Sequence, residues 1–202
     1  VEKLSIELSF DDGGIEDRKI SELLLEYGLT AIFYIPSCCE LSSYDINKLS
    51  KDGFEIGGHT YSHFQDLKLL DYEGQYNEIL LNKADLEGII GKEITSFCYP
   101  RGKYNDTTVE VVKDIGFTSA RTTVVGNIKH PEDRYRIKTS VHLYPQNDFY
   151  KKPDWEKEAY RLLDEAVKSN GYFHLWAHGF EIEKFNLWEG FDKFLKVLSK
   201  YK

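Results

Sequence analysis

Short apolar runs alternate with longer helical patterns along most of the chain, and this alternation limits the fold more than any other feature. Leu4–Phe10 reads as a strand, Ile15–Tyr27 as a helix ended by Gly28, and Ala31–Ile35 as a strand closed by Pro36. A short helix begins at Asp45 and ends near Gly53, and Phe54–Ile56 is the next strand. Then come a long helix at Asp71–Ile90, a strand at Ser96–Tyr99, a helix at Asp106–Ile115 and a strand at Phe117–Arg121. Thr122–Lys152 is polar and irregular, with a strand expected near Arg136–His142. Asp154 caps a helix running to Ser169, Tyr172–Trp176 is a buried strand, and Trp188–Ser199 is the closing helix. Strands that alternate with helices are parallel, so the class is α/β. Six or seven strands fit an open doubly wound sheet or a closed barrel, and pattern alone does not separate them. In both, chemistry sits at the C-terminal strand ends.

With 202 residues the chain is expected to form one domain over 1–202, at roughly 150 residues per domain. Its formal net charge of −8 argues against bulk nucleic-acid binding and against a polybasic membrane anchor. No apolar run approaches the roughly 20 residues of a membrane span. Cys38, Cys39 and Cys98 make no disulfide framework, which favours a cytoplasmic location over a secreted one. The chain starts at Val1 and contains no Met, so its first residue says nothing about a leader.

Three strand ends carry dense polar clusters that the topology would bring to one rim. The first is Ser9-Phe10-Asp11-Asp12-Gly13-Gly14, which is also good turn chemistry. The second is Gly57-Gly58-His59-Thr60-Tyr61-Ser62-His63, whose histidines are four apart, a common spacing for two metal ligands in a helical turn. The third is His174-Leu175-Trp176-Ala177-His178-Gly179. Two imidazoles and one carboxylate leave open positions on a divalent ion, as in a catalytic zinc site, and equally in a non-haem iron oxygenase. Thr60 and Ser62 could orient the imidazoles, and His178 on the rim is a natural general acid. His174 reads as structural, His130 and His142 receive no role, and Glu181 could contact a polar substrate.

In order and spacing these clusters resemble the polysaccharide deacetylase family, also called the NodB-homology or carbohydrate esterase family 4 domain. Ser9–Gly13 matches its Thr/Ser-Phe-Asp-Asp-Gly strand end, and His59, Thr60 and His63 match its His-Ser/Thr-x-x-His motif. Phe97–Gly102 matches its Arg-x-Pro-Tyr-Gly turn in part, and Trp176-Ala177-His178 matches its final Leu-x-His loosely. The resemblance implies a distorted (β/α)7 barrel and hydrolysis of an N-acetyl amide on a sugar or glycan. It assigns Asp12, His59 and His63 to a divalent metal, zinc first, with cobalt or nickel as alternatives. It makes Asp11 the general base and His178 the acid for the leaving amine. The Arg101 backbone N–H would face the oxyanion beside Tyr99, Thr60 would brace the histidine loop, and Trp176 would narrow the acyl pocket or stack on sugar.

Cys98 stands where the family usually has the arginine that orients the base, and Arg136 is the expected substitute. The fourth motif is not clearly present. A deformylase or O-deacetylase on the same fold, an inactive carbohydrate-binding relative and an iron-dependent oxygenase are the competing readings. The sequence does not give the oligomeric state.

Overall fold

The structure, a computed structural model, describes residues 3–145 and 154–201. The sheet has seven strands: β1 (Ser5–Asp11), β2 (Ile32–Ile35), β3 (Glu55–Gly58), β4 (Ser96–Cys98), β5 (Ser119–Arg121), β6 (Val141–His142) and β7 (Tyr172–His178). All pairings are parallel, in the order β5-β4-β3-β2-β1-β7-β6. The helices are α1 (Asp17–Tyr27), α2 (Ser43–Lys51), α3 (Tyr72–Ile90), α4 (Asp106–Asp114), α5 (Trp155–Ser169), α6 (Gly179–Lys184) and α7 (Trp188–Leu198). The sheet curls into a half-barrel with the helices on its convex side, which decides for the barrel over the flat open sheet.

Strand alternation sorts the side chains. On β1, Leu8 and Phe10 join the apolar core under the helices, where Phe10 meets Phe33 and Phe191. Glu7, Ser9 and Asp11 point the other way, into the concave interior. Ser9 Oγ lies 2.8 Å from His174 Nε2, and the Tyr172 hydroxyl donates to Glu7 and lies 2.7 Å from His174 Nδ1. The concave side is therefore a bonded polar layer, while the apolar burial that drives folding lies on the convex side. Gly57 is required at this inner face, since a Cβ there would stand 2.5 Å from the Tyr34 ring.

Several boundaries differ from the sequence pattern. The short helix starts at Ser43, because Ser42 is its cap and Asp45 closes a reciprocal capping box instead of opening the helix. α6, directly after His178, was not expected: six residues are too few to show a helical period. β6 is only Val141–His142, so Arg136 lies outside it, and Ile137 makes an isolated bridge with Arg121. The predicted irregular stretch is irregular through Pro145, and its remainder lies outside the described residues.

Candidate active site

The three rim clusters meet at the C-terminal ends of β1, β3 and β7. Asp12 adopts a left-handed backbone, φ 78°, and its Oδ1 lies 3.3 Å from His59 Nε2 and 3.2 Å from His63 Nε2. That Oδ1 is buried and accepts no hydrogen bond. His59 Nδ1 is 2.8 Å from the Cys98 carbonyl oxygen, which can only accept, so Nδ1 carries the proton and Nε2 offers its lone pair to the site. Burial pushes the Asp12 carboxyl up, but the His59 and His63 side chains and the nearby His178 outweigh it and hold Asp12 well below the carboxylate range. One carboxylate oxygen and two imidazole nitrogens within 4.8 Å of one another are the donor set of a three-ligand divalent site with open positions. The residues fit the ion.

The histidine loop is held from below. The His59 N–H donates to Asn82 Oδ1 at 2.8 Å, and Asn82 Nδ2 donates to the Ile35 carbonyl at 3.0 Å. Ser62 donates twice to Glu78, through its N–H and its hydroxyl. Thr60 and His63 both sit at positive φ, 69° and 52°, a conformation that costs on the order of 1 kcal/mol or more per residue and persists only where its surroundings enforce it.

Asp11, 3% exposed, lies under Asp12. Arg121 from β5 is completely buried, and its Nη2 donates to both Asp11 oxygens and contacts Cys98 Sγ at 2.9 Å. The guanidinium faces the rings of Tyr34 and Trp176 at 5.1 and 4.9 Å. Burial alone would lower its pKa, but the Asp11 charge raises it further, so Arg121 is a fixed cation beneath the carboxylate.

At the β7 end, His178 Nδ1 lies 2.7 Å from Glu181 Oε2, and its Nε2 lies 3.7 Å from Asp12 Oδ2. The same Glu181 oxygen lies 2.9 Å from His142 Nε2. Burial pushes His178 down, yet the Glu181 hydrogen bond and the Asp11 and Asp12 charges more than offset it, and its pKa is raised. Burial lowers His142, while Glu181 is driven down to about 2 by the two imidazoles against the opposing effect of its burial. One ionised carboxylate thus holds a protonatable histidine over the site and a neutral one behind it.

A family model described as polysaccharide deacetylase matches residues 1–120. The chain belongs to the polysaccharide deacetylase family. A peptidoglycan-N-acetylglucosamine deacetylase of Bacillus cereus is 31% identical over 115 residues, covering 55% of this chain and 53% of that protein. The chain spans about half the length of the curated relatives it matches. A Mycobacterium smegmatis structure assigned to the polysaccharide deacetylases superposes with a TM-score of 0.76 at 16% identity, over 98% of this chain and 84% of that one. A carbohydrate esterase family 4 pseudoenzyme of Bacillus anthracis superposes with a TM-score of 0.66 at 16% identity, over 98% of this chain and 61% of that one. These structures establish the fold, and the second shows why the activity must be argued from side chains.

Against the family pattern, the structure corrects four expectations. Arg136 does not replace the missing motif arginine: it pairs with Asp106 and Asp133 at the surface, and Arg121 holds Asp11 instead. In register, Cys98 on β4 faces Arg121 on β5, so a small side chain at 98 leaves room for an arginine arriving from the next strand. Tyr99 points away from the site into the core, where its hydroxyl donates to the Tyr135 carbonyl at 2.9 Å and its ring stacks on Tyr104. Trp176 is 3% exposed and stacks on His142 at 3.8 Å, so it forms the wall under the site and not a surface for sugar stacking. The Thr60 hydroxyl has no hydrogen-bond partner, and the bracing passes through its carbonyl, which accepts from the Ser37 N–H at 3.2 Å, and through Ser62. Arg101 sits at φ 55° in the tight turn Pro100–Gly102 after β4.

The residues that the sequence reading missed are Arg121, His142, Glu78 and Asn82. For Arg121 a signal existed, a charged residue closing an apolar strand on the functional rim. For the other three nothing local distinguishes them from ordinary polar residues.

Proposed function

We propose that this protein is a metal-dependent hydrolase that removes N-acetyl groups from an N-acetylated sugar or glycan. The observation that carries the reading is the convergence of Asp12, His59 and His63 beside a buried carboxylate, Asp11, that is paired with Arg121. A divalent ion held by those three residues, zinc first and cobalt or nickel as alternatives, would supply the electrophile that activates water and polarises the amide carbonyl. Asp11 takes the proton of the attacking water, and the Arg121 guanidinium keeps its carboxylate aimed beforehand. The Arg101 N–H is assigned to the developing oxyanion. His178, kept protonatable by Glu181, donates to the leaving amine, a poor leaving group without that proton.

The test is acetate release from N-acetylated mono- and oligosaccharides by protein loaded with zinc, cobalt or nickel, with N-formyl and O-acetyl substrates in parallel. His59→Ala is expected to lose the metal by elemental analysis. Asp11→Asn is expected to keep it and lose about 10²–10⁴-fold in turnover. An Asp11→Asn protein that arrives metal-free contradicts the division of roles, and preferred turnover of the formyl or O-acetyl substrates replaces the acyl assignment.

A further inference from the structure

The segment 37–41, which follows β2 on the functional rim, ties together the two loops that carry Asp12, His59 and His63. At one end the Ser37 N–H donates to the Thr60 carbonyl at 3.2 Å, inside the histidine loop, and Ser37 Oγ accepts from Asn82 Nδ2 at 3.2 Å. At the other end the Glu40 and Leu41 N–H groups both donate to the Gly13 carbonyl at 3.1 Å, one residue beyond Asp12, and Glu40 Oε2 accepts from the Ile15 N–H at 3.3 Å. Between these attachments lie two adjacent thiols, Cys38, exposed, and Cys39, half-buried. We propose that Cys38 and Cys39 form a reversible oxidation site, at which hydrogen peroxide closes a disulfide between the two neighbours and so loosens the hold of this segment on both ligand loops. The effect on turnover rests on the deacetylase reading, and the effect on the loops does not.

The thiols are packed against the loop they would disturb. A Cβ on Gly13, itself at φ 61°, would stand 2.8 Å from Cys39 Cβ, and Cys39 Sγ donates to the Leu41 carbonyl at 3.5 Å. Consecutive Cα atoms across a trans peptide are roughly 3.8 Å apart, whereas an ordinary disulfide spans about 4.4–6.8 Å. Closing this small ring therefore twists the peptide between the cysteines and turns Cys39, and with it the Glu40 and Leu41 N–H groups that hold Gly13. The same strain makes the bond easy to reduce, which suits a switch and not a permanent staple.

The chemistry balances with peroxide alone. Cys38 is the exposed thiol, and burial pushes the Cys39 thiol up, which leaves Cys39 as the resolving partner. The Cys38 sulfur attacks peroxide, an S–O bond forms, the O–O bond breaks and water leaves. The Cys39 sulfur then attacks the sulfenic sulfur, the S–S bond forms and a second water leaves. The two cysteines lose two protons and two electrons, and peroxide is reduced to two waters. Cys98 is fully buried against Arg121 on β4 and takes no part.

The experiment treats reduced, zinc-loaded protein with hydrogen peroxide and reads intact mass with peptide mapping, zinc transfer to a chromogenic chelator, and amide hydrogen exchange. The expected product is lighter by two hydrogen atoms, carries a Cys38–Cys39 link and keeps Cys98 as a thiol. Its zinc is expected to be held about tenfold or more weakly, and residues 12–15 and 59–63 to exchange faster, with dithiothreitol restoring all of it. Cys38→Ser and Cys39→Ser are expected to form no link and to keep their zinc affinity under peroxide. The site is overturned if no link between these two cysteines forms, or if the link changes neither zinc affinity nor exchange. An equal loss of zinc affinity in both serine variants overturns it too. Protein that binds no zinc in either state, but whose two loops exchange faster once the link forms, keeps the oxidation site and sinks the metal reading instead.

Discussion

The two halves of the rim are built differently. At the ends of β1 and β3, Asp11, Asp12, His59 and His63 come from two contiguous segments, and each segment is a motif that can be read as written. At the ends of β5, β6 and β7, Arg121, His142 and the His178–Glu181 pair, three residues apart, come from separate stretches, and only the fold brings these stretches together. The first half gathers candidate ion-ligand atoms, and the second supplies charges beside those atoms and Asp11. A short motif can specify ligands, because ligands need only be near one another. Tuning a buried carboxylate needs a counter-charge from wherever the fold has room, and that position can migrate between strands.

The Arg121 and Asp11 pair offers the sharpest way to break this comparison. Arg121→Met leaves a carboxylate buried without its cation, which costs about 3–5 kcal/mol. Urea unfolding is expected to show that loss, and Asp11→Asn/Arg121→Met to recover part of it, because both charges are then gone. A single substitution as stable as wild type would mean that the second half of the rim does not support the first.

A smaller effect is expected at Glu181. Its hydrogen bond raises the pKa of His178, so the imidazole stays protonated further into the alkaline range. In Glu181→Gln that contribution is gone, the folded pKa of His178 falls, and the alkaline limb of kcat/KM moves to lower pH. Glu181 also contributes to acid stability. Its folded pKa of about 2 lies below the ordinary 4.5, so its stabilisation is complete above 4.5 and is lost as pH falls toward about 2. Glu181→Gln should flatten that part of the unfolding profile, and an unmoved alkaline limb would separate Glu181 from the acid.

The mildest effect belongs to Arg136, which satisfies two exposed carboxylates. Arg136→Ala is expected to change stability by no more than about 1 kcal/mol and to leave the pH profile in place. A large loss of turnover would return Arg136 to the role that Arg121 holds in the structure.

The legibility of the fold follows the same division. The strand and helix order was readable because burial on one face imposes periods of 2 and 3.6 residues, and Gly28 ends its helix at positive φ as its position suggested. α6 and the two-residue β6 were not, since elements that short carry no period. Tyr99 was misplaced by one step of strand alternation: Cys98 faces the interior, so its neighbour faces the core.

By itself, then, the sequence determined the parallel α/β order, the family and the two segments that gather Asp11, Asp12, His59 and His63. These are local properties, carried by neighbours in the chain. Only the tertiary structure decided that the sheet curls into a half-barrel, that Arg121 and not Arg136 holds Asp11, that Glu181 couples His178 to His142, and that the segment 37–41 joins the two ligand loops. Those outcomes depend on which side chains a curled sheet brings within hydrogen-bonding distance, and residues such as Asp11 and Arg121, 110 positions apart, carry no sequence pattern that records it.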